Sequence, residues 1–180
     1  MSRIWDVFMY RDEVDMLECR LRELDGKVHR HVLVESRTTH RGDPKPLHYM
    51  ENRERFAPWA DRIVHIVADV PASPDPWARE HAQRDAARLA LRDADPDDMV
   101  LIADVDEIPS AAALDARPDR AVTLLQRLCM YAVDWEYPER HLCSVIARAG
   151  AIGSSLAAVQ TAGGVRGPRY VGVLTPSRAV

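Results

Sequence analysis

The sequence lacks three features that would each define a class of protein. It has no run of about 18 consecutive apolar residues, the length that a membrane-spanning helix needs. Its N-terminal segment, residues 1–10, is too short and too interrupted by charge to be a secretory signal peptide. Its 3 cysteines show no metal-ligand spacing, and their odd number argues against a disulfide framework. These absences predict a cytoplasmic protein with no membrane anchor.

A surplus of positive charge is also absent. The net charge is −4 over 180 residues, and only Lys27 and Lys45 among the 24 basic residues are lysines. Binding to nucleic acid through overall charge requires a basic surplus, so no nucleic-acid partner is predicted. A phosphate ligand would instead need a local basic patch or a metal ion. The length suits one domain, and 47% hydrophobic residues suffice for a core.

The hydrophobic pattern alternates between strands and helices. Short apolar runs predict buried strands, and the segments between them have helical periodicity or capping residues. This alternation predicts an α/β fold with a mainly parallel central sheet flanked by helices. The predicted strands are 4–10, 31–35, 63–68, 99–103, 122–128 and 130–135, and the predicted helices are one after Asp12 and those at 50–59, 77–93 and 111–116.

Several side chains receive predicted positions within these elements. Asp12 and Asp75 are expected to cap helices, and Pro76 stands at a first helical position. Cys19 and Trp135 are expected in the core. The helix at 77–93 is expected to pack through a face of small and apolar residues, with its arginines elsewhere, and that face consists of Ala82, Ala86 and Leu89.

The most informative segment is MVLIADVDEIP at 99–109. Five apolar residues lead into Asp104, Asp106 and Glu107, at the end of a strand where open α/β sheets bind ligands. Residues two apart in an extended chain point to the same side, so the two aspartates are expected to converge. Two such carboxylates suit Mg²⁺ or Mn²⁺ with positions left open for phosphate oxygens. The alternative is an acidic loop that faces only solvent.

Five segments, taken in order, resemble glycosyltransferase family 17. They are WDVFMYRDEVDMLECRLREL at 5–24, HVLVES at 31–36, GDPKPL at 42–47, REHAQRD at 79–85 and DVDEIP at 104–109. The known animal members of the family add the bisecting N-acetylglucosamine to the core mannose of N-glycans. The resemblance implies a GT-A-like nucleotide-sugar-binding domain at 1–148, followed by a divergent or truncated tail at 149–180.

The resemblance further implies an inverting, metal-dependent transfer of N-acetylglucosamine from UDP-N-acetylglucosamine (UDP-GlcNAc) to a glycan acceptor. Mn²⁺ or Mg²⁺ is expected on Asp106 and Asp104, and Asp104 has the ribose as an alternative contact. Glu107 is a weaker candidate. The base that activates the acceptor hydroxyl is expected at Asp134 or Glu136. The alternative for both residues is an ordinary charged strand end. Without an anchor, a polysaccharide, glycolipid or small glycan is expected as acceptor rather than an N-glycan core, and the acceptor itself is not identified.

Two arginines are candidate contacts for the donor diphosphate. Arg79 and Arg84 lie in the first turns of the helix at 77–93, and a helix N-terminus with arginine favours an anion. The alternative for both is a surface ion pair with Glu80 or Asp85.

Three further residues are candidate nucleotide or phosphate contacts. Glu35 ends a strand of apolar residues, Lys45 lies in a proline-rich loop, and Asp6 lies on the first strand. Each has an alternative role. Glu35 could anchor the following loop, and Asp6 could be a hydrogen-bond acceptor within the fold. Lys45 could be an ordinary solvated lysine.

Two other functions stay open. The resemblance fades after about Arg148, which would suit a non-catalytic remnant that still binds a nucleotide sugar. A DxD motif after a strand also supplies the nucleophile of haloacid-dehalogenase-type phosphohydrolases. In those enzymes the motif follows the first strand of the core and has Thr or Val at its fifth position, whereas here it follows the fourth predicted strand and has Ile108.

Overall fold

Six strands form one mixed sheet at the centre of the molecule. The computed structural model describes residues 2–129, 135–138 and 141–161. The strands within those ranges are β1 (Ile4–Met9), β2 (Arg30–Ser36), β3 (Ile63–Ala68), β4 (Met99–Asp104), β5 (Val122–Gln126) and β6 (His141–Arg148). Their order across the sheet is β3-β2-β1-β4-β6-β5. The first four in that order run parallel, and β6 runs antiparallel to both β4 and β5.

The four parallel strands confirm the α/β fold that the apolar runs predicted. β1 and β4 lie at the centre of the sheet and are buried on both faces, which explains their nearly continuous apolar sequences. β6 was not predicted, because its first half is exposed and polar residues interrupt its apolar pattern. The strand predicted at 130–135 falls mostly outside the described residues.

Helices cover both faces of the sheet. The α-helices are α1 (Val14–Glu23), α2 (His48–Glu51), α3 (Pro76–Asp85) and α4 (Leu156–Thr161), and the 3₁₀ helices are Arg53–Trp59, Ala86–Asp93, Ala111–Asp115 and Ala149–Ala151. The helix predicted at 77–93 is thus α3 continued by a 3₁₀ helix. Leu156 on α4 is fully buried in one of the cores, so the packed unit extends beyond residue 148. Within the described ranges, no helix has the length and apolarity needed to cross a bilayer.

The alternation of side chains along β1 decides what faces α1. Trp5 and Val7 belong to the core on the side of α4, whereas Ile4 and Phe8 belong to cores on the opposite side. Asp6 lies between Ile4 and Phe8 and therefore also points to the side that α1 covers. This placement brings a carboxylate from the middle of the sheet against a helix.

The helix caps agree with the sequence at one of two places. Asp75 caps α3, and its carboxylate accepts a hydrogen bond of 3.0 Å from the backbone N–H of Trp77. The prediction for Asp12 was wrong, because α1 begins after Glu13 without a side-chain cap. The carboxylate of Glu13 instead accepts hydrogen bonds from the backbone N–H groups of Arg11 and Asp12.

Three predictions of burial were wrong. Cys19 is exposed because the buried side of α1 is formed by Leu17, Arg20 and Leu21. Trp135 lies in the β5–β6 connection and is 67% exposed.

The third wrong prediction concerns α3 and its continuation. Leu89 is exposed, and the buried residues of α3 are the polar Arg79, Gln83 and Arg84. These side chains face the carboxyl edge of the sheet, where strand and loop carbonyls need donors. Gln83 Nε2, for example, donates to the carbonyl oxygen of Val34 at 3.0 Å.

Candidate functional site

A pocket of about 710 Å³ opens at the carboxyl edge of the parallel strands. The end of β1, the loop after β2 and the end of β4 form its wall, together with Gln83 of α3. Both aspartates of the DxD motif, Asp104 and Asp106, line this pocket. Because open α/β sheets bind ligands at this edge, the pocket is the candidate site.

The two aspartates meet through a turn rather than through strand alternation. β4 ends at Asp104, and the chain then reverses, with Glu107 N–H donating to the Asp104 carbonyl at 3.1 Å. Ile108 N–H donates to the Asp106 carbonyl at 3.1 Å. The sequence argument placed both carboxylates on one extended segment, and that part was wrong. The turn nevertheless brings both to the pocket wall.

Negative charge on this acidic turn, residues 104–107, is only partly compensated. Arg84 Nη2 donates to Asp104 Oδ1 at 2.8 Å. Burial raises the pKa of Asp106, and the negative charges of Asp104 and Glu13 raise it further. A cation placed beside Asp106 would relieve this repulsion.

Glu107 does not line the pocket. Its Oε2 accepts a hydrogen bond of 2.9 Å from the backbone N–H of Asp104. Burial, with added repulsion from Asp104 and Asp106, raises the pKa of Glu107 to about 7. This carboxyl group therefore braces the turn.

The carboxylates fit an ion shared with a phosphate better than a closed metal cage. Mg²⁺ is typically held by one or two carboxylates together with phosphate oxygens and water. Asp104 and Asp106 supply such a pair. Among the described residues, no group of three histidine, cysteine, aspartate or glutamate side chains is arranged to enclose an ion.

A buried arginine that the sequence argument missed lies beneath the acidic turn. Arg20 has no exposed surface, and its Nη1 donates to three carbonyl oxygens. These belong to Asp104 at 2.9 Å, Val105 at 3.2 Å and Glu107 at 3.1 Å. The available signal was its position three residues after Leu17, on the apolar side of α1.

Asp6 lies behind Arg20 and does not line the pocket. Arg20 Nη2 donates to Asp6 Oδ1 at 2.6 Å, and Arg20 Nε donates to Oδ2 at 3.0 Å. His31 Nδ1 lies 2.8 Å from Oδ2. Burial would raise the pKa of Asp6, but the charge of Arg20 and the hydrogen bond from His31 outweigh it and lower this pKa. The structure thus places Asp6 as an acceptor within the fold.

Glu35 and Lys45 form a buried ion pair at the base of the loop after β2. Lys45 Nζ lies 3.0 Å from Glu35 Oε1, which also accepts the backbone N–H of His48 at 2.6 Å. Burial would raise the pKa of Glu35, but hydrogen bonds from His65 and Lys45 outweigh it and lower the pKa. Glu35 therefore ties down the loop, whereas Lys45 also lines the pocket.

The two arginines of α3 are both buried and both bonded to the protein. Arg79 Nε donates to the carbonyl oxygen of His40 at 2.7 Å and so holds the loop after β2 over the pocket. Arg84 binds Asp104 and also donates to Glu80 Oε1 at 3.3 Å. The two arginines therefore hold the loop after β2 and the Asp104 side chain in position at the pocket wall.

The exposed basic side chains at the pocket are residues that the sequence argument did not select. Arg11, His40 and Arg41 are exposed and line the pocket together with the acidic turn. Arg41 lies in a tight loop in which Gly42 has a φ of +95° and donates its N–H to Thr39. The segment RTTHRGD at 37–43 carried a signal, because three basic residues there precede a glycine turn.

The predicted acceptor bases are not in the described pocket wall. Glu136 lies in the β5–β6 connection, where it pairs with Arg127 and forms an isolated bridge with Cys129. Asp134 lies outside the described residues. The assignment of the base to either residue stays a prediction.

The sheet order, the pocket at its carboxyl edge and the acidic turn together define an α/β domain of the GT-A-like type. The family model of glycosyltransferase family 17 matches residues 1–147, and the chain belongs to that family. It is therefore a glycosyltransferase domain, which acts on a sugar donor and an acceptor. This assignment favours the transferase over the phosphohydrolase alternative. A comparison with curated proteins finds no match to the chain.

Proposed function

We propose that this protein transfers N-acetylglucosamine from UDP-GlcNAc to a glycan acceptor, with inversion at the sugar and with dependence on Mn²⁺ or Mg²⁺. One observation carries the proposal: Asp104 and Asp106 both line the large pocket at the carboxyl edge of the sheet. Family membership supports glycosyl transfer in general. The charges of the pocket support a diphosphate-linked donor.

The pocket lining carries charges of both signs, which suits a nucleotide diphosphate bound through a cation. It includes the carboxylates of Asp104 and Asp106 and the exposed guanidinium groups of Arg11 and Arg41. We assign the diphosphate contacts to these two arginines. Arg79 and Arg84, which the sequence suggested, donate hydrogen bonds to His40 and Asp104, and their contact with the diphosphate stays a prediction.

The residues at the acidic turn have different proposed roles in binding. Asp106 and Asp104 would hold the metal ion, and Arg84 fixes Asp104 in one orientation. The bound cation would act as a Lewis acid that offsets the charge developing on the departing UDP. Asp104 keeps a ribose hydroxyl as its alternative partner.

Inversion requires a single displacement and therefore one base for the acceptor hydroxyl. We retain Asp134 and Glu136 as the candidates for that base. The β5–β6 connection that carries them joins the strands beyond β4, and β6 begins at the carboxyl edge of the sheet because it runs antiparallel to β4. The acceptor class remains a polysaccharide, a glycolipid or a small glycan.

The first prediction concerns turnover of the donor. With Mn²⁺, the protein should slowly release UDP from UDP-GlcNAc even without an acceptor. Asp106→Asn should lower that rate by about 100-fold, because a preorganised electrostatic contact at the reacting centre has about this effect. Excess EDTA should abolish release by the wild type.

The matched control is Asp97→Asn. Asp97 is an exposed aspartate just before β4, at the opposite edge of the sheet, where it pairs with Arg148. Asp97→Asn should release UDP at the same rate as the wild type. Equal UDP release by wild type and Asp106→Asn would contradict the proposal. Tight binding of UDP and Mn²⁺ with no release would instead support the non-catalytic remnant.

A further inference from the structure

We propose that Arg20, held by Asp6 and His31, is a positioning group that sets the shape of the acidic turn. None of these three side chains has exposed surface, so none can touch a ligand in the pocket. They act on the turn from beneath. The inference rests on the proposed function only where it concerns ligand affinity, and its claim about the shape of the turn stands apart from that function.

The first support is the convergence of three carbonyl groups on one nitrogen. Carbonyls in a surface turn normally face water, but those of Asp104, Val105 and Glu107 all accept from Arg20 Nη1. Ser144 Oγ adds a donor to the Glu107 carbonyl at 3.1 Å. Because the carbonyls are drawn inward, the carboxylates of Asp104 and Asp106 are left on the pocket side.

The second support is the use of the whole guanidinium. Nε and Nη2 donate hydrogen bonds to the two carboxylate oxygens of Asp6, while Nη1 donates to the carbonyl oxygens of the turn. The guanidinium carbon also lies 4.6 Å from the centre of the Phe8 ring. Only a planar fork can bind a carboxylate on one edge and backbone carbonyls on another, so lysine cannot replace Arg20 here.

The third support is the continuation of the network to a second strand. Asp6 provides the negative charge without which Arg20 would be a buried, unpaired cation. The His31 ring binds Asp6 through Nδ1, and its Nε2 has no hydrogen-bond partner among the described residues. We therefore assign to His31 the role of orienting the Asp6 carboxylate. The network runs from β2 through β1 and α1 to the turn after β4.

The test measures the turn itself by hydrogen exchange of amides in residues 99–109. In Arg20→Lys, exchange at Glu107 and Ile108 should quicken by at least about tenfold, as expected when charge-assisted hydrogen bonds are lost. His31→Leu should quicken it less. His31→Asn should restore slow exchange, because the asparagine amide nitrogen can take the place of Nδ1.

The control for general destabilisation is Leu124→Ala. Leu124 is buried in a different core cluster from Phe8 and does not line the pocket. This variant should have a lower melting temperature than the wild type. The ratio of the amide exchange rates at Glu107 and Ile108 to those in β1 should stay as in the wild type. Unchanged exchange at the turn in both Arg20→Lys and His31→Leu would overturn the inference. Equal quickening in Leu124→Ala would overturn it as well.

The second readout is the affinity for Mn²⁺ and UDP, measured by calorimetry on the same variants. The wild type should bind, Arg20→Lys should bind at least about tenfold more weakly, and His31→Asn should bind like the wild type. If the wild type binds and Arg20→Lys binds equally well, the positioning role is refuted. If the wild type does not bind at all, the proposed function fails, while the exchange result still decides the role of Arg20.

Discussion

At the scale of single residues, the buried charged groups of this protein are matched to partners on other segments of the chain. Asp98 shows this far from the pocket, where it is 2% exposed just before β4. Its carboxylate accepts hydrogen bonds from Arg3 N–H at 2.7 Å and Trp5 Nε1 at 3.0 Å. Each such carboxylate makes the stability of the fold depend on pH.

Asp98 should contribute stability that is lost in acid. Burial would raise its pKa, but hydrogen bonds from Trp5 and Arg3 outweigh it and lower the pKa from 3.8 to about 2. Since the folded value is the lower one, the stabilisation is complete above about pH 4 and disappears as the pH falls toward 2. A shift of this size corresponds to about 2 kcal/mol.

Urea unfolding at several pH values measures this contribution. Between pH 5 and pH 2, the free energy of unfolding of Asp98→Asn should fall by about 2 kcal/mol less than that of the wild type. Asp95→Asn is the matched control, because Asp95 is exposed and its variant should follow the wild-type curve. Parallel curves for wild type and Asp98→Asn would show that Asp98 carries no such linkage.

The sequence indicated which charged residues lie at the candidate site. It did not indicate the hydrogen-bond partners of those residues. Asp104 and Asp106 were predicted to converge and both line the pocket, although a turn and not an extended strand brings them there. The bond between Arg84 and Asp104 was not predicted, while the expected phosphate contact of Arg84 stays a prediction. A sequence shows that a charge is present, but the partner of that charge depends on contacts between distant segments.

At the scale of elements, α3 shows why a hydrophobic pattern can indicate the wrong face. It crosses over beside the carboxyl edge of the sheet, where strands end and leave carbonyl groups unpaired. Its buried face therefore carries Arg79, Gln83 and Arg84 rather than apolar residues. Periodicity predicts burial only where the neighbour is apolar. β1 and β4 meet this condition on both faces, and they were predicted to within one residue.

The start of α3 depends on local capping, and this leads to a prediction at the same scale. Asp75→Ala should lower the free energy of unfolding by about 1 kcal/mol, because the bond to Trp77 N–H is lost. Asp75→Ser retains a capping oxygen and should lie within a few tenths of a kcal/mol of the wild type. Urea unfolding monitored by circular dichroism would show the difference. Equal loss in both variants would mean that the aspartate acts through something other than the cap.

At the scale of the whole molecule, the two edges of the sheet serve different purposes. The amino edge is closed by ion pairs such as Arg148 with Asp97 and Arg3 with Asp98. The carboxyl edge carries the pocket, which is lined by charged residues of both signs. A ligand that binds the folded chain at this pocket should stabilise the fold as a whole.

UDP with Mn²⁺ should therefore raise the melting temperature of the wild type. A ligand at 100 times its dissociation constant stabilises the folded state by about 2.7 kcal/mol. Arg41→Gln should reduce this gain, because it removes the charge of an exposed arginine that lines the pocket and that we propose as a contact of the diphosphate. Uridine lacks the diphosphate, so its effect should be the same in wild type and Arg41→Gln.

The control arginine for this experiment is Arg92, which lines a small separate depression on the other side of the fold. Arg92→Gln should keep the full gain from UDP and Mn²⁺. An equal reduction in Arg92→Gln and Arg41→Gln would show that only the overall charge matters. A full gain in Arg41→Gln would remove the diphosphate role of the loop after β2. The acidic turn would then bind the donor without it.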